Sequence, residues 1–399
     1  MKRILVSLLF LLAHSNQSAA AESAGLRALF ERAWERSVAG RTVEARRDEG
    51  AASRAVADSL FAAAPALAIA ERNDRQNRNR GQRERELELA LPLWLPGERA
   101  ARQALAQGDS EEIEAALVAA RLALAGELRA VTWTLSLATA EAGIAGERRA
   151  LAQRLEADVA RREAAGELAR TDLLLARQEA LAARAAAGDA EVRRLAGVER
   201  LRLLSGSDVL PQGIDEAVAA PLPEAHPRLR LVTAAVARAR AALDLARESR
   251  RDAPELSLGV QESREDFAAP RRNSLRIGIR IPFATEGRNA PRVAATNTAL
   301  VQAETERLRV EAELASERRQ AEAELAATAL AVELAGERAA AAGERARLLA
   351  RAFELGELPL AEMLRAQSAA LEARLESARS RSAHGLAKAR LNQARGVLP

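Results

Sequence analysis

Two unrelated stretches of this chain repeat at one and the same offset, which restricts the fold to something built twice. The segment Leu89-Ala90-Leu91-Pro92-Leu93-Trp94-Leu95-Pro96-Gly97-Glu98-Arg99 aligns with Ile279-Arg280-Ile281-Pro282-Phe283-Ala284-Thr285-Glu286-Gly287-Arg288-Asn289, with Pro282 lying 190 positions after Pro92. Farther along, Gly166-Glu167-Leu168-Ala169-Arg170-Thr171-Asp172-Leu173-Leu174 aligns with Gly356-Glu357-Leu358-Pro359-Leu360-Ala361-Glu362-Met363-Leu364, again 190 positions on. A fixed internal period marks a recurring structural unit. The chain reads as two copies of one unit.

Within each copy the hydrophobic period switches from helical to strand-like and back. Leu87, Leu89, Leu91 and Leu93 alternate with Glu86, Glu88, Ala90 and Pro92; Leu275, Ile277, Ile279, Ile281 and Phe283 alternate with Arg276, Gly278, Arg280 and Pro282. Period two places one apolar and one polar face on a strand. A shorter partner precedes each: Leu67 and Ile69 after Pro65, and Leu256, Leu258 and Val260 after Pro254. The connectors, residues 73–83 and 262–273, are polar and turn-rich, so each copy is expected to hold one hairpin, over 65–96 and 254–284.

Long helices are expected elsewhere. Between Gly97 and Gly166 lies a proline-free stretch, which as a continuous helix spans about 100 Å. Residues 291–356 form a similar stretch, with Pro291 read as a first-turn proline. Each ends at a glycine, as helix C-termini commonly do. Shorter returns are expected over 168–204 and 227–251, over 358–398, and over 42–64. Gly108-Asp109-Ser110, followed by Glu111 and Glu112, reads as a kink or a fresh cap. Leu173, Ala176, Ala180, Ala183 and Ala187 recur at three- and four-residue spacing, and such small residues allow close antiparallel coiled-coil packing. The expected organisation is therefore a leader (1–21), N-terminal helices and an equatorial segment (22–64), the first β-hairpin (65–96), the first coiled-coil hairpin (97–204), an equatorial linker (205–226), a helix (227–253), the second β-hairpin (254–284), and the second coiled-coil hairpin with the C-terminal segment (285–399).

The leader follows from order. Lys2 and Arg3 precede the apolar run from Ile4 to Ala13 and the small residues Ser18-Ala19-Ala20-Ala21. That order marks a secretory signal peptide, cut before Glu22, and about ten apolar residues fall short of the roughly 20 a spanning helix needs. Removing Lys2 and Arg3 lowers the formal charge from +4 to +2, and the many arginines are matched by glutamates at helical spacing. This argues against nucleic-acid binding. There is no cysteine, which removes disulfides, thiol lipidation and thiolate metal sites. After the leader only His226 and His384 remain, and no nucleophile or phosphate-cradling motif is present, so neither catalysis, a cofactor nor a bound metal is expected. His226 precedes Pro227 at an expected helix start and reads as a cap or linker residue.

Four strands do not close a barrel, and a sheet with one apolar and one polar face needs its edges paired. Three chains giving four strands each close twelve strands, with an outward apolar band and a polar lumen. The lipid face then holds Leu89, Leu91, Leu93, Ile277, Ile279 and Ile281. The alternative is a sheet whose apolar face lies on a helical core. Trp94, Phe267 and Phe283 are the candidates for interfacial aromatics, a sparse set in a chain that is 2% aromatic.

These residues resemble the TolC family of outer-membrane efflux proteins. The resemblance covers nearly the whole chain after the leader. It rests on the duplicated unit, on the strand endings Leu91-Pro92-Leu93 and Ile281-Pro282-Phe283, and on the hairpin beginning at Gly166. It implies a mainly α fold with a small β part. A homotrimer would form a twelve-stranded barrel in the outer-membrane lipid of a Gram-negative bacterium and a helical tube in the periplasm, joined to a periplasmic adaptor and an inner-membrane pump. The two turns would be the adaptor-contacting tips: Gly166, Leu168, Ala169, Thr171, Asp172 and Leu173 in one, Gly356, Leu358, Pro359, Leu360 and Met363 in the other. Arg351, Glu354 and Glu357 are the candidate gate, against an ordinary solvated helix face. The run Gly166-Glu167-Leu168-Ala169-Arg170-Thr171-Asp172-Leu173-Leu174-Leu175-Ala176 is most similar to the outer-membrane subunits of heavy-metal cation pumps of the resistance-nodulation-division class. Ducts for drugs or for type I protein secretion stay open, as does a periplasmic coiled-coil adaptor or scaffold without a barrel.

Overall fold

The computed structural model describes residues 25–220, 225–249, 252–283 and 286–399; the leader expected over residues 1–21 lies outside the described residues. The elements in chain order are α1 (25–36), α2 (Val38–Arg41), α3 (Val43–Ala57), β1 (Ala66–Asn73), β2 (Arg83–Pro92), α4 (Glu98–Ala164), α5 (Arg170–Ser205), α6 (Pro227–Glu248), β3 (Glu255–Arg264), β4 (Arg272–Arg280), α7 (Glu286–Glu354) and α8 (Leu360–Ala394). The duplication is visible in the element ends. Ala164 and Glu354, which close α4 and α7, are 190 positions apart, as are Arg170 and Leu360, which open α5 and α8.

The chain divides into two compact units. One consists of residues 42–117 and 228–311 and carries the strands. These form a single antiparallel sheet in the order β1-β2-β3-β4. Its register places Leu67, Leu89, Leu258 and Ile277 in one cross-strand row, and Ile69, Leu87, Val260 and Leu275 in the next. The strand expected to reach Phe283 stops at Arg280, because Arg280 pairs with Glu255, the first residue of β3 after Pro254. Beyond it Pro282 has no N–H to give a ladder.

The helices of this unit dock through polar contacts. Arg47 on α3 pairs with Glu114 on α4 at 2.7 Å, and Arg238 on α6 pairs with Asp109 at 2.5 Å. No fresh helix is capped at Gly108-Asp109-Ser110, and α4 is helical throughout. Ser110 Oγ donates back to the Ala106 carbonyl at 3.0 Å, Asp109 is taken by Arg238, and a side chain at Gly108 would meet the Arg238 backbone. Residues that look like a cap in one dimension serve helix docking in three. Pro291 sits in the second turn of α7, not the first, since the helix starts at Glu286; this leaves the Gly287 carbonyl without its usual partner. The helix expected over 42–64 ends at Ala57. Ala62 donates instead to the Pro92 carbonyl, and Pro65 disfavours helix at the residue before it.

The other unit holds residues up to 41, 118–227 and 312–399. Its helices run antiparallel. Along α4 and α5, Ala152 clusters with Ala180 and Ala183, while Val159 clusters with Ala176. Along α7 and α8, Ala346 clusters with Ala366 and Ala370, and Glu324 pairs with Arg390. The alanine seam is buried as the spacing requires: Ala176, Ala180, Ala183, Ala187 and Ala190 all face inward on α5. Between α4 and α8 a β-carbon at Gly385 would overlap the Trp133 ring, so only glycine permits that stacking. Around Leu26, Leu29 and Phe30 of α1, a larger core gathers Leu128, Val131 and Leu135 of α4 and Leu201 of α5.

A polar cluster fastens the segment after α5 to this unit. Arg129, 2% exposed, meets Glu216 through two hydrogen bonds of 2.7 and 2.8 Å and Gln393 through a third of 2.8 Å. Asn392 accepts from the Ala219 N–H and donates to the Ala217 carbonyl, both at 2.9 Å. A buried guanidinium is tolerated only with such satisfaction.

Candidate functional site

The sheet presents two chemically distinct faces. One face carries Leu67, Ile69, Leu87, Leu89, Leu91, Leu256, Leu258, Val260, Leu275, Ile277 and Ile279 by strand alternation. Most of these side chains are exposed, Ile69 at 77% and Ile277 at 68%. So large a contiguous apolar surface is not left bare on a water-soluble monomer. The opposite face carries Glu84, Glu86, Glu88, Gln261, Ser274, Arg276 and Arg280; Arg276 pairs with Glu86 at 2.6 Å and reaches Gln261 at 3.3 Å. Among the described residues the two outer strands, β1 and β4, have no neighbour on their far sides.

Of the six residues assigned to the apolar face in the sequence, Leu89, Leu91, Ile277 and Ile279 lie within strands on that face. Leu93 follows β2 and donates to the Pro254 carbonyl at 2.7 Å, and Ile281 follows β4. The partner leucines and valine on β1 and β3 complete the surface. Their signal was the same alternation, shortened by the prolines at the strand starts. Trp94 does not stand free: its indole donates to the Ser59 carbonyl at 3.1 Å under the Arg102 guanidinium. Phe267 and Phe283 are exposed.

The two expected tips share one design and one core. At the first, Gly166 (φ 80°) donates to the Glu163 carbonyl and Glu167 to Arg162; at the second, Gly356 (φ 78°) donates to Phe353 and Glu357 to Ala352. This is the paired bonding of a glycine-closed helix end. Ala169 and Pro359 then start α5 and α8 in nearly the same extended conformation. The two helix starts differ in one bond to the capping residue's N–H. The Ala169 N–H reaches Asp172 Oδ2 at 3.3 Å, which Pro359 lacks the hydrogen to match.

Beneath both turns lies one cluster of Val159, Ala176, Phe353, Leu360 and Met363, flanked by Leu168, Leu173 and Leu358. Arg162 lies 5.2 Å above the Phe353 ring. Of the tip residues named from the sequence, Gly166, Ala169, Thr171, Gly356 and Pro359 are exposed, Leu168, Asp172, Leu173 and Leu358 are half-buried, and Leu360 and Met363 are buried. Val159, Phe353 and Arg162 were missed, since each lies in an unremarkable helical stretch. Arg351 pairs with Glu354 at 3.3 Å one turn along α7, and both side chains are largely exposed; Glu357 is exposed as well. An exposed pair on one helix stabilises by only a few tenths of a kcal/mol.

Among the described residues no helix is long and apolar enough to cross a membrane, and no group of His, Asp or Glu side chains is arranged to hold a metal.

Comparison of the sequence with known protein families finds no match, and neither does comparison with curated proteins. Comparison of the structure does. The outer-membrane channel CmeC of Campylobacter jejuni superposes with a TM-score of 0.75 at 14% identity, covering 93% of this chain and 85% of that one. CusC, a protein that forms a transmembrane channel, gives 0.76 at 17% identity over 94% and 92%. VceC, an outer-membrane protein of Vibrio cholerae, gives 0.74 at 15% identity over 94% and 96%. The chain thus has the TolC-like fold, mainly helical and built from a duplicated unit of long antiparallel helices with one β-hairpin in each half.

Proposed function

We propose that this chain is the outer-membrane channel subunit of a tripartite efflux system, a passive duct and not an enzyme. The observation that carries this reading is the sheet: an exposed apolar face, a charged opposite face and two unpaired edges on a fold shared with outer-membrane channels. Lipid covers the apolar face, a neighbouring copy pairs each open edge, and three copies close a twelve-stranded barrel with the polar face inward. The chain then sits in the outer membrane of a Gram-negative bacterium with its helices in the periplasm.

In this reading the tips dock a periplasmic adaptor that links the duct to an inner-membrane pump. Their exposed residues Gly166, Ala169, Thr171, Gly356 and Pro359 make the contact, while buried Leu360 and Met363 hold the surface in shape. Arg351, Glu354 and Glu357 act in gating by exchanging the pair within α7 for partners on a neighbouring copy. The exported substrate is a heavy-metal cation; this rests on the run from Gly166 to Ala176. Loss of the gene should then sensitise cells to divalent metal salts, and sensitisation to drugs alone would assign the duct to drug efflux instead.

The decisive test is electrophoresis of unheated and heated protein from outer-membrane fractions. A heat-sensitive band at three times the monomer mass supports the channel. A monomer or dimer recovered with the soluble periplasm overturns it and leaves the coiled-coil scaffold.

A further inference from the structure

The strand-turn end of the sheet holds a concentration of arginine that pairing inside the chain does not absorb. The first turn and its flanks contain Arg72, Arg75, Arg78, Arg80, Arg83 and Arg85; the second contributes Arg264, Arg271 and Arg272. Six acidic residues share this end, and each is already engaged. Glu71 pairs with Arg83 at 2.9 Å and Arg85 at 3.5 Å, Glu262 with Arg271 at 3.4 Å, and Glu265 with Arg272 at 3.7 Å. Asp74 accepts the backbone N–H of Arg80 at 2.6 Å and of Gly81 at 3.3 Å, which folds the first turn around it. Asp266 accepts from Ala268 and Ala269, both at 2.7 Å, and Glu84 accepts from Gln261. Arg72, Arg75, Arg78 and Arg80 are exposed, and no ion pair forms to any of their side chains among the described residues.

The two turns form one surface. Phe267 donates its backbone N–H to the Arg80 carbonyl at 3.0 Å, Arg264 Nε reaches the Gly81 carbonyl at 3.2 Å, and the Arg264 guanidinium lies 5.4 Å from the exposed Phe267 ring. On the apolar face, the row Ile69, Leu87, Val260 and Leu275 ends a few residues short of these turns. The next row on that face is Glu71, Arg85, Glu262 and Asn273, and beyond it, in the turns, stand the exposed Phe267 ring and the guanidinium groups of Arg75, Arg78 and Arg80.

We propose that this end is a docking collar for phosphate-bearing headgroups of the lipids around the barrel, with Arg75, Arg78 and Arg80 of the first turn as the phosphate-binding groups, while Arg72, opposite Glu84, belongs to the polar face. A guanidinium matches phosphate oxygens through paired N–H donors, and the apolar band beyond the polar row accepts the acyl chains of the same molecule. This arrangement selects a lipid over free phosphate. The inference rests on the channel reading above, because it needs the sheet to lie in lipid.

The test uses the full-length protein purified in a neutral detergent and titrated with fluorescent diphosphoryl lipid A, with the same lipid freed of its phosphates, and with inorganic phosphate. An anionic lipid surface gains about fivefold in affinity per adjacent basic side chain. The variant carrying Arg75→Ala, Arg78→Ala and Arg80→Ala is therefore expected to bind lipid A about a hundredfold more weakly, and the corresponding lysine variant to stay within about tenfold of wild type. Unchanged lipid A binding by the alanine variant overturns the proposal. So does equal binding of the phosphate-free lipid, which would assign affinity to the apolar band alone, or equal binding of inorganic phosphate, which would make the site a simple anion site. Unheated electrophoresis of the same preparations separates the two readings. A wild-type oligomer from the outer membrane that does not favour lipid A refutes the collar alone, whereas absence of that oligomer refutes the channel.

Discussion

Arg129 shows how a single charged side chain is committed to structure in this chain. Buried at 2% exposure, it has its guanidinium filled by Glu216 and Gln393, so the segment after α5 is tied to α4 and α8 through one ion. Truncating Glu216 to Ala leaves a buried charge without its partner, which typically costs about 3–5 kcal/mol. Replacing both, as Arg129→Met with Glu216→Met, is expected to be close to neutral by comparison. Thermal unfolding in detergent checks the order: the single variant should be the less stable. Limited proteolysis within residues 206–220 should rise only in the single variant. None of this was legible beforehand, because Arg129 stands in an ordinary helical pattern and its partners are 87 and 264 residues away.

The glycine-closed turns are elements in which the chemistry is wholly local. Gly166 and Gly356 both take positive φ, and a β-carbon there would touch nothing within 4 Å. An alanine at either position therefore meets only the backbone cost of the left-handed conformation, about 1–2 kcal/mol. Gly166→Ala and Gly356→Ala should lower the unfolding temperature to similar degrees while leaving far-UV circular dichroism unchanged. A large loss from one and none from the other would show that the turns are not equivalent. The ion pair between α3 and α4 is expected to respond to pH. A hydrogen bond from Arg47 holds the Glu114 carboxyl below its ordinary value of 4.5, with desolvation acting the other way and the Arg47 charge adding to the lowering. A lowered folded-state value means that the contribution is complete above the unfolded value and disappears as pH falls through the folded one. Because the pair is more than half exposed, the stability difference between wild type and Glu114→Gln should be small at neutral pH, shrink with added salt and be absent in strong acid. A difference that persists in acid would contradict this assignment.

For the whole molecule, the sheet faces carry the functional reading. Ile277 sits in the row with Leu67, Leu89 and Leu258, the middle of the band proposed to face lipid. Ile277→Arg is expected to cost about 2–4 kcal/mol in a lipid-facing strand at mid-depth, and to reduce the heat-sensitive oligomer in outer-membrane fractions. Ser274→Arg, three residues away on the charged face, should leave that oligomer intact. Equal loss from both would argue that the two faces do not differ in environment. The contrast between them was legible from the alternation alone. The unpaired arginines at the turns were not, since residues 73–83 read simply as a polar connector until the structure showed where each neighbouring carboxylate is spent.

Local signals established the duplicated plan. Glycine after a helix, proline before a strand and the change of period from helical to alternating act over a few residues, which is why the 190-residue offset reappears in the ends of α4 and α7 and the starts of α5 and α8. The tertiary structure alone decided which elements meet. It paired β2 with β3 across the whole first coiled-coil hairpin, buried Leu360 and Met363 beneath both tips, and turned Gly108 from part of a cap signal into a contact with α6. Those outcomes depend on packing between residues far apart in the chain, where sequence spacing carries no geometric information and only the assembled surfaces select the partner.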